Sequence, residues 1–211
     1  SIKRHIEPVL ARRAKNAKSI LLTGPRQVGK STLFKHLFKD VRQVTFDDDL
    51  LLAQASEDVG LFLLNNPPPL MIDEVQKCPS IFNRIKIILD NTEKKSNFFF
   101  TGSQKLQLME SISESLSGRV SIMELDGLSM REINGIDFNR HFVPSAEYIA
   151  EREKKLKPYQ GDIWQTIYRG FFPELYADGE REWIDYYQSY VKTYLERDVN
   201  RLIKASNHLT F

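Results

Sequence analysis

Residues 24–31 read Gly24-Pro25-Arg26-Gln27-Val28-Gly29-Lys30-Ser31, a complete G-x-x-x-x-G-K-[ST] pattern. The run before it, Ser19-Ile20-Leu21-Leu22-Thr23, is short, apolar and partly β-branched, which predicts a buried parallel strand. The run after it, Thr32 to Phe38, places Leu33, Phe34, Leu37 and Phe38 at helical spacing. Strand, glycine turn and helix together aim backbone N–H groups and a positive helix end at one point, as a chain of phosphates requires. The glycines Gly24 and Gly29 let the backbone curl close to it. In that geometry Lys30 reaches the β- and γ-phosphates as a point charge, and the Ser31 hydroxyl ligates Mg²⁺. Gly24 through Thr32 are therefore the expected nucleotide-binding residues.

Working outward, 211 residues suit one large domain or a core with a small second one. Lysine plus arginine (30) nearly balances aspartate plus glutamate (28), so a net charge of +2 speaks neither for nor against nucleic acid. One cysteine, Cys78, allows no internal disulfide. No signal peptide is recognised, and apolar runs such as Leu61 to Leu64 are far shorter than the ~20 residues that cross a bilayer. A cytoplasmic protein with no membrane partner is expected. His5, His36, His141 and His208 are scattered without metal-ligand spacing.

Residues 2 to 15 predict a helix with Ile6, Val9 and Leu10 apolar. Val41 to Phe46 alternates like a strand. Asp47-Asp48-Asp49 suits either a metal or, preferably, the start of a helix over Leu50 to Ala55. After Pro67-Pro68-Pro69 come a strand at Leu70 to Ile72 and, past Pro79, a helix with Phe82, Ile85, Ile88 and Leu89 on one face. Asn97 to Thr101 and Val120 to Leu125 are further strands. Strands separated by helices predict a doubly wound α/β sheet, a three-layer sandwich carrying the loop. The pattern changes near residue 128, giving an expected core over 1–128 and a mainly helical, lid-like region over 129–211. Ser129-Met130-Arg131-Glu132 has capping-box form. Glu151 to Lys157 is a charged helix face or loop. Trp183, Tyr187, Tyr190, Tyr194 and Leu202 predict one long helix whose aromatic stripe packs inward rather than stacking bases.

Leu70-Met71-Ile72-Asp73-Glu74 ends a hydrophobic strand in two carboxylates, and resembles a Walker B motif. Asp73 would hold the Mg²⁺ already touched by Ser31. Glu74 would face the γ-phosphate and deprotonate the attacking water, which favours hydrolysis over binding alone. In Phe98-Phe99-Phe100-Thr101-Gly102-Ser103-Gln104 the strand stops at polar residues, and Ser103 is the candidate to contact the γ-phosphate or the water. An ordinary strand-to-loop turn has the same pattern.

The stretches Leu22 to Thr32, Ile72-Asp73-Glu74-Val75-Gln76, Thr101-Gly102-Ser103, Ser115-Leu116-Ser117-Gly118-Arg119-Val120, Gly170-Phe171-Phe172-Pro173-Glu174 and Tyr194-Leu195-Glu196-Arg197-Asp198 resemble the AAA+-type P-loop ATPases. The likeness is to a prokaryotic family whose ATPase core precedes a C-terminal domain of unknown function. The resemblance implies a five-stranded parallel core in which a sensor strand separates the P-loop strand from the Walker B strand. It also implies ATP with Mg²⁺, a helical region after the core, and continuation of the chain beyond Phe211. AAA+ enzymes commonly supply an arginine across a subunit boundary. Arg119 is the candidate here, with Arg131 and Arg169 as rivals, and a homo-oligomer is the assembly that would use it.

The resulting expectation is Mg²⁺-dependent ATP hydrolysis coupled to a conformational change. A nucleotide-dependent switch with little turnover and a small-molecule kinase are the alternatives. The lack of an N-K-x-D motif disfavours a GTPase. Nucleic acid is an open partner, since Arg12, Arg13, Lys15 and Lys18 read more simply as a solvated helix face.

Overall fold

The computed structural model describes residues 2–103, 112, 115–156, 158, 159, 161–177 and 182–195. Five parallel strands form one sheet: β1 (Ser19–Thr23), β2 (Arg42–Thr45), β3 (Leu70–Asp73), β4 (Phe98–Gly102) and β5 (Val120–Glu124), in the spatial order β2-β3-β4-β1-β5. The carboxylate-bearing strand β3 is thus separated from the loop strand β1 by β4. Pairing runs Ser19 to Phe98 and Ser19 to Val120 at one end, and Thr23 to Gly102 and Thr23 to Glu124 at the other. The C-terminal ends of β1, β4 and β5 therefore lie level, and the loop leaves the sheet at that edge.

Alternation along the strands divides the core between two faces. Phe98 and Phe100 join Leu21, Leu70 and Ile72 against α3 (Asp49–Glu57), α4 (Val59–Asn65) and α5 (Ile81–Asp90). Phe99 points the other way, its ring 5.6 Å from Phe34 and 4.3 Å from Phe38, under α2 (Lys30–Leu37). On that face α1 (Glu7–Asn16) buries Leu10 and Ala14. A sheet covered on both sides explains why β1 and β4 are buried at every position.

Local signals explain most boundaries. Asp48 caps α3 by accepting from the Leu50 and Leu51 N–H groups, so the acidic cluster is a helix start. Asp58, not anticipated as a cap, does the same for α4 through Leu61 N at 2.9 Å. The first helix begins later than its pattern predicts, at Glu7. Pro8 occupies its first turn and the Glu7 side chain ties down the Arg4 N–H at 2.7 Å. The Ser129 capping box forms with both of its bonds and starts the short helix Met130–Ile133. Residues 151–155 belong to the helix Ala146–Lys155, capped by Ser145.

The chain forms two compact units, Ile2–Leu156 and a second from Lys157 onward. The change of pattern near residue 128 falls just after β5. In the second unit the described part of the expected long aromatic helix is an α-helix, Trp183–Tyr190, followed by a π-helical turn, Val191–Leu195. Tyr186 is its buried residue, and Phe172 packs on Tyr186, Tyr187 and Tyr190 with centroids 5.0 to 6.0 Å away. Leu202 and the Tyr194 side chain lie outside the described residues. Among the described residues no helix is long and apolar enough to cross a membrane.

Candidate nucleotide-binding site

The loop between β1 and α2 owes its shape to backbone that few residues adopt. Gly24 has φ 139°, and a β-carbon there would lie 2.0 Å from the Leu125 carbonyl oxygen, so the loop leaves the sheet pressed against the end of β5. Gly29 has φ 90°, and a β-carbon would meet nothing within 4 Å. The start of α2 is open on that side, where its first N–H groups lack intrahelical acceptors. Val28 is buried while Pro25 and Gln27 are exposed, Gln27 at φ 62°. Arg26 and Ser31 are half-buried, and Thr32 is exposed on the first turn.

Lys30 is buried, and its Nζ donates to the carbonyl oxygens of Gly24 at 2.9 Å and Pro25 at 2.7 Å. The ammonium is thus folded into the concavity of its own loop. Burial pushes its pKa below the ordinary lysine value, Glu74 and Asp73 pull it back in part, and Arg26 adds to the lowering. A phosphate entering the loop would supply the anionic oxygens that the two carbonyls replace.

Strand β3 delivers Asp73 opposite the loop. Ser31 Oγ donates to Asp73 Oδ1 at 2.7 Å, and Thr101 Oγ1, from the buried end of β4, donates to the same oxygen. Glu74 follows with φ 53° and ψ 42°, a left-handed conformation at a residue with a β-carbon. Its Oε2 accepts from Ser103 Oγ at 3.3 Å and from Gln76 Nε2. Lys30, Ser31, Asp73, Glu74 and Ser103 are therefore gathered at one edge of the sheet. The residues fit Mg²⁺: Ser31 and Asp73 offer hard oxygen donors in contact with one another, beside an open glycine loop, and this cation takes few protein ligands.

Arg119 is not brought to this cluster. It precedes Val120, the first residue of β5, and Val120 pairs with Ser19 at the edge opposite the loop. A five-residue strand puts roughly 16 Å between the two edges. There Arg119 holds Asp90, at the end of α5, through Nε at 2.5 Å and Nη2 at 3.1 Å. Arg131 donates to the Phe138 carbonyl at 2.7 Å, and Arg169, in the second compact unit, lies over the Tyr176 ring at 4.9 Å.

Three further residues at or beside the site had no role assigned from the sequence. Thr101 and Gln76 stood in stretches that carry the family resemblance but without a role of their own; Gln76 lies in a 3-10 turn, Val75–Lys77. Arg4 reaches the loop from the N-terminal segment. Its guanidinium donates to Val28 O at 2.9 Å, to Asp126 O at 2.8 Å, to Gly127 O at 3.1 Å and to Glu132 Oε1 at 3.2 Å.

A glycine loop between the first strand and its helix, facing a carboxylate two strands away in a β2-β3-β4-β1-β5 parallel sheet, defines an α/β P-loop ATPase fold of the AAA type. The chain belongs to the AAA domain family, whose model matches residues 16–134, and a domain of unknown function (DUF8612) matches residues 160–211. Uncharacterized proteins of Mycobacterium tuberculosis and Mycobacterium bovis are each 29% identical over 194 residues, which is 92% of this chain. The chain spans 38% of the length of these curated relatives. Among solved structures, a Walker-type ATPase of Pyrococcus abyssi aligns with TM-score 0.59 at 14% identity, covering 99% of this chain and 77% of that one. A DNA replication initiation factor aligns with TM-score 0.52 at 14% identity, covering 92% and 62%. Family and fold together support nucleotide binding by this chain.

Proposed function

We propose that this chain binds ATP with Mg²⁺ and hydrolyses it, and that the change of nucleotide state drives a conformational change. The observation that carries the proposal is the meeting of Ser31 and Asp73 at 2.7 Å, with Glu74 next in sequence turned out of the strand beside them. Gly24 through Thr32 wrap the phosphates, with Lys30 leaving its two loop carbonyls for the β- and γ-phosphate oxygens. Ser31 and Asp73 would hold the Mg²⁺, which when bound neutralises charge on those phosphates. Glu74 accepts a proton from water as the water oxygen bonds to the γ-phosphorus. The bridging β–γ P–O bond breaks, and its electron pair leaves with ADP. Ser103, donating to Glu74, keeps the carboxylate in place.

Turnover by the full-length protein, measured with and without Mg²⁺ and with Glu74→Gln, tests this. The variant should bind ATP as tightly as the wild type and hydrolyse it roughly a hundredfold more slowly, the scale of losing a positioned general base. Wild-type turnover in the variant would move the water-activating role to another residue. Absence of Mg²⁺-dependent turnover in the wild type, with ATP bound, would leave a nucleotide switch.

A further inference from the structure

Gln76 carries two features that hydrolysis by Glu74 alone leaves unused. Its Nε2 donates to Glu74 Oε2, the oxygen that also accepts from Ser103 at 3.3 Å. Its other amide atom, Oε1, is buried and has no hydrogen-bond partner among the described residues. Turning the amide over would not cure this, because carbonyl would then meet carboxylate, acceptor against acceptor. The amide is committed, with its NH₂ on Glu74 and its carbonyl held on the same carbon close by. Buried acceptors are rarely left without a donor, and each exception asks for a reason.

The backbone supplies a second, independent mark. Glu74 sits at φ 53° and ψ 42°, and the 3-10 turn after it brings Gln76 back onto the carboxylate two residues earlier. Conformations of this kind cost free energy and cluster where a side chain must be aimed.

We propose that Gln76 orients the water that attacks the γ-phosphate, acting as the second acceptor beside Glu74. This rests on the assignment of Glu74 as the base. Glu74, with Oε2 fixed from two sides, takes one proton of the water, and Gln76 Oε1 accepts the hydrogen bond of the other. A water held through both hydrogens presents its lone pair in one direction, toward the phosphorus. Gln76 exchanges no proton in the step, and the bonds made and broken are those given above. A clamp that keeps Glu74 away from water would use the same contact, but its removal would speed hydrolysis.

Single-turnover hydrolysis by the full-length protein, compared for wild type, Gln76→Met and Glu74→Gln together with ATP affinity and thermal midpoint, separates these roles. Methionine fills the space of glutamine and removes the orphan carbonyl. Gln76→Met should therefore keep ATP affinity, keep or raise the midpoint, and slow hydrolysis at least tenfold. A rate at or above wild type would overturn the orienting role in favour of the clamp. Parallel losses of rate, affinity and midpoint would overturn it in favour of packing. If Glu74→Gln alone is slow, the base stands and Gln76 falls; if Glu74→Gln keeps the wild-type rate, the assignment of the base falls and the paired orienting role of Gln76 falls with it.

Discussion

Ser31 and Asp73 are joined by a hydroxyl-to-carboxylate hydrogen bond of 2.7 Å that ties the start of α2 to the end of β3 across the intervening strand. Thr101, at the end of that strand, donates to the same oxygen, so Asp73 Oδ1 is fixed by hydroxyls from two elements. A carboxylate placed this way needs no rearrangement of the backbone to accept a cation. A bound Mg²⁺ would take the place of one hydroxyl's hydrogen bond to that oxygen.

Asp73→Asn should therefore act through Mg²⁺. The amide keeps the size and one acceptor, but removes the negative charge. The Mg²⁺ concentration for half-maximal ATP turnover should rise tenfold or more, with partial rescue in excess Mg²⁺, while the fold holds. A titration with the wild-type Mg²⁺ dependence would take Asp73 out of the metal site.

Ser31 and Asp73 were legible because each ends a pattern dictated by short-range physics. A glycine loop must precede a helix, and a hydrophobic strand must surface in polar residues. Thr101 was not legible as a partner, because a buried hydroxyl at a strand end looks the same whether or not a carboxylate lies on the next strand. Gln76 stood in a stretch that carried the resemblance, but its contact with the carboxylate depends on Glu74 taking a left-handed conformation, which no local residue preference announces. Arg4 is separated from Glu132 by 128 residues, and its bonds to Val28, Asp126 and Gly127 run to backbone carbonyls, which leave no trace in side-chain identity. The aromatic spacing beyond Trp183 was read as one helix, but spacing alone does not register the π turn that begins at Val191.

Lys30→Ala should weaken ATP binding roughly 10- to 100-fold, from ~1.5–3 kcal/mol for a hydrogen bond to a charged group. The wild type adds a pH signature. Burial holds the Lys30 pKa below its ordinary value of 10.5, and bound phosphate would favour the protonated form. ATP affinity should then fall as pH rises through the depressed pKa of the free protein, at a lower pH than an exposed lysine would give. Isothermal titration across alkaline pH checks this, and proton uptake on binding should accompany it. A flat profile that matches Lys30→Ala would separate the lysine from the phosphates.

Glu132 should govern acid stability. Burial pushes its carboxyl up, but the N–H groups of Ser129 and His5 and the Arg4 guanidinium outweigh that, and the net shift is downward. A carboxylate with a depressed native pKa stabilises fully above the ordinary value of about 4.3 and loses that contribution as pH falls through the native one. Glu132→Gln leaves the Arg4 charge buried without its partner, a loss of about 3 kcal/mol at neutral pH. Urea unfolding at pH 7 should show this, and wild type and variant should converge as pH falls below the depressed native value of Glu132. Equal stability at pH 7 would make the pair dispensable.

Arg119 tests assembly. The sheet itself separates it from its own loop, so any action on a phosphate must cross to a neighbouring copy, and the Asp90 ion pair is the contact that aims the guanidinium at the surface. If it acts there, turnover per subunit should rise with protein concentration, and Arg119→Ala should lose that rise while still binding ATP. A trans-acting arginine is worth roughly a thousandfold in rate, so the loss should be plain. Mixing Arg119→Ala with Lys30→Ala protein sharpens the test, because one class of mixed interface pairs an intact loop with an intact arginine. Activity should partly return. Asp90→Asn, which removes the ion pair but keeps the arginine, should fall between wild type and Arg119→Ala. If the mixture stays inactive and wild-type turnover is independent of concentration, Arg119 serves only to join the start of β5 to the end of α5.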